Sequence, residues 1–160
     1  MVALHRRWVA PLFAVVLMAG PAWAEDPIEA ASAHGPCGAG RHRRSAQEVV
    51  DDFHAALATG NVHKAVACNY AQNAKVVTAG GVFTGHAAIE AGLAGFGALF
   101  GGAFPTVLVN EATRDVVFIV YTLITPFASI PDGSDTFVVR DGLIRTQTVH
   151  ATIVFGAPAP

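Results

Sequence analysis

Residues 132–155, DGSDTFVVRDGLIRTQTVHATIVF, decide how this chain is read. Asp141-Gly142 lies between two β-rich runs and is the dipeptide preferred by a two-residue type I′ hairpin, whose central residues both take φ > 0. Uninterrupted pairing counted back from that turn sets Arg140 opposite Leu143, Val139 opposite Ile144 and Phe137 opposite Thr146. It then sets Asp135 opposite Thr148 and Gly133 opposite His150. Opposed residues share a sheet face. One face therefore holds Phe137, Val139, Ile144, Asp135, Thr146, Thr148 and His150. The other holds Arg140, Arg145, Val138, Thr136, Gln147 and Val149. The two arginines require water, so the first face is expected to look inward. It would carry Asp135 and His150 at diagonal positions about 7–8 Å apart, within side-chain reach.

Before the hairpin, residues 104–111 and 116–125 read as long strands. The second, VVFIVYTLIT, is apolar on both faces and is expected in the middle of its sheet, covered on both sides. Tyr121 is its one polar handle. Residues 85–100 space Ile89, Leu93, Phe96 and Phe100 for a helix that Gly92, Gly95 and Gly97 each weaken by about 0.5–1 kcal/mol relative to alanine. Such a helix suits either a lid over a cavity or close packing on a sheet. Residues 74–78 and 82–84 read as short strands joined through Ala79-Gly80-Gly81. Ser45-Ala46-Gln47-Glu48 is a capping box, followed by Val49, Phe53 and Leu57 at helical spacing and a stop at Gly60. Asn61 caps a second helix running to about Tyr70, with Val62, Val66 and Tyr70 inward. His54 and His63 fall beside these stripes and read as solvent-facing or hydrogen-bonded helix residues. Past the hairpin, the positions that point outward on this count (Val149, Ala151, Ile153 and Phe155) turn apolar, which predicts cover by a second subunit.

Residues 1–24, MVALHRRWVAPLFAVVLMAGPAWA, have the parts of a secretory signal peptide: Arg6-Arg7, an apolar run, and the small-x-small site Ala22-Trp23-Ala24. The run is shorter than the ~20 residues of a spanning helix. The expectation is export to the periplasm or beyond, with no membrane span after cleavage. Residues 25–44 lack a period and are rich in Ala, Gly and Pro, so they read as a flexible linker. The basic cluster Arg41, His42, Arg43, Arg44 reads as its solvated end. One domain over residues 45–155 and a tail over 156–160 complete the division. Loss of residues 1–24 removes two arginines and no acid, making the remainder more acidic than the formal −2 of the whole chain. That argues against a nucleic-acid binder, which needs a clustered basic face. With 52% hydrophobic and 14% charged residues, apolar surface is left over for a cavity or an interface. Cys37 and Cys68 can form a disulfide in an exported protein; the alternative is a buried Cys68 and a free Cys37.

The order of two helices, two short strands, a helix and long antiparallel strands resembles the nuclear transport factor 2-like superfamily, and within it the SnoaL-like proteins. Phe53 and Leu57, the Gly60-Asn61 break, Tyr70, Phe83-Thr84-Gly85-His86 and Ile89 carry the likeness, with DTFVVRDGLIRTQTVH (135–150) matching best. Asn61 and Asn73 stand where relatives often have Asp. The resemblance covers residues 45–155. It implies an α+β cone, in which a curved antiparallel sheet wraps the N-terminal helices around an apolar pit, and it implies homodimers across the sheet's outer face. Phe53, Leu57, Tyr70, Phe96, Phe100 and Phe137 are the candidate ligand-binding residues of that pit. Relatives include ketosteroid isomerase, polyketide cyclases, dehydratases and proteins that only bind or assemble, so the fold alone assigns no reaction.

A carboxylate and an imidazole in an apolar pit can supply a base near neutral pH. Ketosteroid isomerase uses an Asp base with Tyr and protonated Asp donors. By analogy Asp135 and His150 are the candidate acid–base pair of an isomerase, dehydratase or cyclase, and Tyr121 the donor to an enolate oxygen. The first expectation is a binder of a small, apolar molecule. A dimerisation module whose pit is filled by Phe53, Phe96, Phe100, Phe118 and Phe137 is the alternative without a ligand. A buried Asp135 bonded to the turn at Pro131-Asp132-Gly133 is the purely structural one. His86 and the pair Asn69-Tyr70 could reach the pit mouth. No spacing suits a metal or a phosphate loop, and no cofactor is expected.

Overall fold

The computed structural model describes residues 37–38 and 43–156. The expected signal peptide, most of the linker and residues 157–160 of the tail lie outside the described residues. Helix α1 (Ala46–Ala58) starts at Ser45, whose hydroxyl accepts from the Glu48 amide while the Glu48 carboxylate accepts from the Ser45 N–H, so both halves of the capping box are made. Gly60 takes φ 75°, and the Asn61 side chain accepts from the Lys64 amide to begin α2 (Val62–Asn69). Val49, Val50, Phe53, Ala65 and Val66 bury the inner stripe of this pair.

Strand β1 (Tyr70–Thr78) folds back as β2 (Gly81–Thr84), and α3 (His86–Leu99) follows. Then come β3 (Thr106–Ala112), β4 (Val116–Ile124), β5 (Ala128–Arg140), β6 (Leu143–His150) and β7 (Val154–Phe155). The sheet runs β2-β1-β6-β5-β4-β3, with β7 paired to β5; β1 and β6 are parallel and the other pairs antiparallel. It curves without closing and packs its concave face on the helices, giving the α+β cone expected from the sequence.

The β5–β6 turn is as read, with Asp141 at φ 53° and Gly142 at φ 66°. Arg140 faces Leu143 and Val139 faces Ile144; the register then shifts by one, so that Val138 faces Thr146 and Asp135 faces Val149. Arg145 is the extra residue of this β-bulge, and its guanidinium reaches back to Asp141 at 2.9 Å. Side chains alternate strictly along a strand, so one inserted residue reverses every face beyond it. Gln147 and Val149 therefore point inward, and Thr148 and His150 outward. The reading that Thr146, Thr148 and His150 face the core is overturned by this shift. Of the four apolar positions attributed to subunit cover, Val149 and Ala151 pack against the core of the same chain, while Ile153 and Phe155 remain exposed.

Strand β4, expected in the middle of the sheet, lies next to the edge strand β3 and is covered on one side only. Val117, Ile119, Tyr121 and Leu123 are buried, whereas Phe118 and Ile124 on its outer face are 39% and 65% exposed. That outer face is where the expected dimer contact would have to form. Cys37 and Cys68 are joined in a disulfide. Arg44, read from the sequence as solvated, instead clamps the start of the domain. Its guanidinium donates to Asp52, Asn69 Oδ1, the Cys68 carbonyl and the Gly142 carbonyl at 2.7–2.9 Å, linking α1, the end of α2 and the hairpin turn.

Candidate functional site

Between α1, α3 and the concave sheet lies a cavity of about 930 Å³. Its wall is mostly apolar: Phe53 and Leu57 come from α1, Ile89, Leu93 and Phe96 from α3, Ile119 from β4, and Val149 from β6. The glycines of α3 act in two ways. A Cβ at Gly92 would meet the Phe83 ring at 3.2 Å, so that glycine allows the helix to close on β2, while Gly95 and Gly97 face open space. The helix thus packs closely on β2 at Gly92 and borders the cavity at Gly95 and Gly97. The phenylalanines do not fill the pit. Phe53 and Phe96 line it, but Phe100 and Phe137 are buried behind the wall and Phe118 is on the outer face.

The bulge brings four polar side chains into one chain of bonds at the sheet side of the pit. Gln147 Nε2 donates to Asp135 Oδ2 at 2.7 Å. The acceptor-only carboxylate requires the NH2 end of the amide, which turns Gln147 Oε1 toward the Tyr70 hydroxyl that donates to it. The Tyr121 hydroxyl donates to Asp135 Oδ1 across a long 3.4 Å. Oδ2 is thus firmly held, and Oδ1 keeps acceptor capacity on a residue that lines the cavity.

Asp135 is buried, and loss of hydration pushes its carboxyl from 3.8 up to about 6, against the opposing pull of the Gln147 and Tyr121 bonds. Burial and the neighbouring Asp135 charge push both Tyr70 and Tyr121 well above the ordinary phenol range. Both phenols stay protonated as donors. A carboxylate with this pKa, held by two neutral donors beside an apolar cavity, is suited to accept a proton near neutral pH.

Of the residues singled out in the sequence, Asp135, Tyr121, Phe53, Leu57 and Phe96 line the cavity. Tyr70 lies behind the wall and acts through Gln147. His150 does not take part. It is exposed on the opposite sheet face, across from Ser134, with Nε2 at 3.9 Å from the carboxylate of Asp132. The proposed Asp135–His150 pair is therefore replaced by Asp135–Gln147. Nor does Asp135 bond a turn at 131–133, which is instead part of β5; Asp132 in that stretch accepts from Thr152, beyond the end of β6. His86 Nε2 donates to the Tyr70 carbonyl at 3.0 Å, and Asn69 is buried between the Ala65 carbonyl and Arg44. His63 meets Glu90 at 3.1 Å, tying α2 to α3.

Sequence reasoning missed Gln147 and His54. His54 lines the pit from α1, with its ring set edge-on to Phe104 and Phe137 at 6.0 Å between centroids. Burial lowers its pKa, only partly countered by Asp51, which favours the neutral imidazole. Among the described residues, no group of three His, Cys, Asp or Glu side chains is placed to hold a metal ion.

A curved open sheet closed over helices, with its polar cluster at the concave side, is the nuclear transport factor 2-like, cystatin-like fold, and this chain has it. A crystal structure of a protein from Sphaerobacter thermophilus matches with a TM-score of 0.57 at 20% identity, over 68% of this chain and 96% of that one. A candidate polyketide cyclase from Sinorhizobium meliloti matches with a TM-score of 0.56 at 17% identity, over 64% of this chain and 94% of that one. TerC, co-crystallised with polyporic acid, matches with a TM-score of 0.57 at 18% identity, over 66% and 90%. No protein-family model and no curated protein sequence matches the chain.

Proposed function

We propose that this protein binds a small, largely apolar carbonyl compound in the pit and uses Asp135 as a general base on it, in an isomerase- or cyclase-like reaction. The observation that carries the reading is the buried Asp135 carboxyl, bonded to Gln147 on the wall of a mostly apolar cavity of about 930 Å³, where loss of hydration pushes its pKa up to about 6. The volume lies in the upper part of the range for small-molecule sites, roughly 300–1,000 Å³. Among the structural neighbours, the candidate cyclase and the polyporic acid complex of TerC give the reading support at the level of the fold. In the proposed step Asp135 Oδ1 takes a proton from carbon next to the carbonyl, the C–H electron pair passes to the carbonyl oxygen as an enolate, and Asp135 returns the proton at carbon. Tyr121 and Gln147 hold the carboxylate through its change of charge.

The test uses 2-tetralone, an apolar ketone with acidic α-hydrogens, in D2O. The wild-type protein should speed α-deuteration, read by proton NMR. The Asp135→Asn protein should lose that acceleration by ~100-fold or more, the range expected for general base catalysis. Binding of the ketone without any acceleration would reduce the protein to a binder.

A further inference from the structure

From the structure we infer that His54 is the second polar contact of the ligand: its ring donates a hydrogen bond to the ligand's carbonyl or enol oxygen from the α1 side while Asp135 acts from the sheet side. The inference rests on the reading of the pit as a carbonyl site.

Three observations lead to it. First, His54 lies on the cavity wall, yet its ring nitrogens make no hydrogen bond to any described residue, unlike His63 and His86, which are both engaged. No buried side-chain polar atom among the described residues lacks a partner, so the unpartnered imidazole nitrogens are reached by solvent, on a residue that lines the pit. The rings of Phe53, Phe104 and Phe137 around this half-buried imidazole offer it no hydrogen bond, which leaves water or a molecule in the cavity to supply one. Second, the donor expected from the sequence is already engaged, since the Tyr121 hydroxyl is directed at Asp135 Oδ1 rather than at the cavity. Third, His54 from α1 and Asp135 from β5 both line the pit, so one ligand in it can meet the two. When Asp135 takes the α-proton, the electron pair moves to the ligand oxygen. A neutral imidazole N–H aimed at that oxygen becomes a stronger donor as the charge develops, and stays a proton donor in the bond without giving the proton up.

The probes are 2-naphthol, a flat stand-in for the enol of 2-tetralone, and naphthalene, which has the same shape and no oxygen. In wild-type protein with 15N-labelled histidine, 2-naphthol should move the His54 ring nitrogen signals and naphthalene should not. His54→Phe should bind naphthalene as wild type does and 2-naphthol about five- to ten-fold more weakly, the size of one lost hydrogen bond. His54→Gln, which retains a donor, should recover most of the difference. Equal loss of both probes in His54→Phe, or a 2-naphthol complex that leaves the His54 nitrogens unmoved, overturns the assignment. If 2-naphthol is discriminated as expected while 2-tetralone is not deuterated by the wild-type protein, the His54 contact stands and the reading of Asp135 as a base fails.

Discussion

Asp135→Asn is expected to do two opposite things: remove proton transfer and make the protein harder to unfold at neutral pH. The folded state holds the Asp135 carboxyl at about 6 against an ordinary 3.8, so it binds the proton more tightly than the unfolded chain does. For a raised carboxyl pKa the sign is fixed. Stability linked to this group is greatest below about pH 4, falls as the pH rises through about 6, and above that the full cost of a buried charge is present. The shift corresponds to roughly 3 kcal/mol. Asparagine removes the charge and keeps the bonds, since its carbonyl can accept from Gln147 and its amide can donate to Tyr121. Urea or thermal denaturation at pH 7.5 should therefore show the variant more stable by about 2–3 kcal/mol, a gain that disappears at pH 4. A charge kept at such a cost is what a functional carboxylate looks like. A variant less stable than wild type at pH 7.5 would make Asp135 a structural residue.

Gly133→Ala should cost more than a surface glycine ever does. Gly133 is the cross-strand partner of Tyr121, and a Cβ there would stand 2.2 Å from the ring's Cε2 and 2.5 Å from Cζ. The Tyr121 ring is buried, so it cannot swing aside into solvent. The methyl group must push it toward the pit, breaking its bond to Asp135 and taking cavity volume. A loss of about 2–4 kcal/mol is expected, at the upper end of overpacking effects, together with weaker binding of 2-naphthol. In a Tyr121→Ala background the same substitution should cost about 2 kcal/mol less, because the ring that clashes is gone. Independent, additive effects of the two changes would show that the glycine serves something other than the tyrosine.

The elements that announce themselves through local chemistry were legible in the sequence. The capping box at Ser45, the Gly60-Asn61 break and the Asp141-Gly142 turn each satisfy backbone groups within a few residues, so their spacing alone suffices. The pit's polar end was half legible. Asp135 and Tyr121 were found; Gln147 was placed on the wrong face and His150 was taken instead, because a bulge consumes one residue and leaves no turn signal. A signal did exist: an unbroken count puts the apolar Val149 on the same face as Arg140 and Arg145, a conflict that one inserted residue removes. Reading it as cover by a second subunit preserved an unbroken register at the cost of the site. His54 could also have been found, since Val50, Phe53, His54 and Leu57 are spaced i, i+3, i+4 and i+7, the spacing of a single helix face. The clamp at Arg44 was beyond reach, because its partners lie up to 98 residues away.

The decisive measurement is the titration of Asp135 itself, followed by its carboxyl carbon shift in protein labelled with 13C-aspartate and assigned by comparison with Asp135→Asn. A midpoint near 6, displaced when 2-naphthol fills the pit, is the predicted result. A midpoint at or below 4 that does not respond to the probe would contradict the assignment of Asp135 as the base of an apolar site.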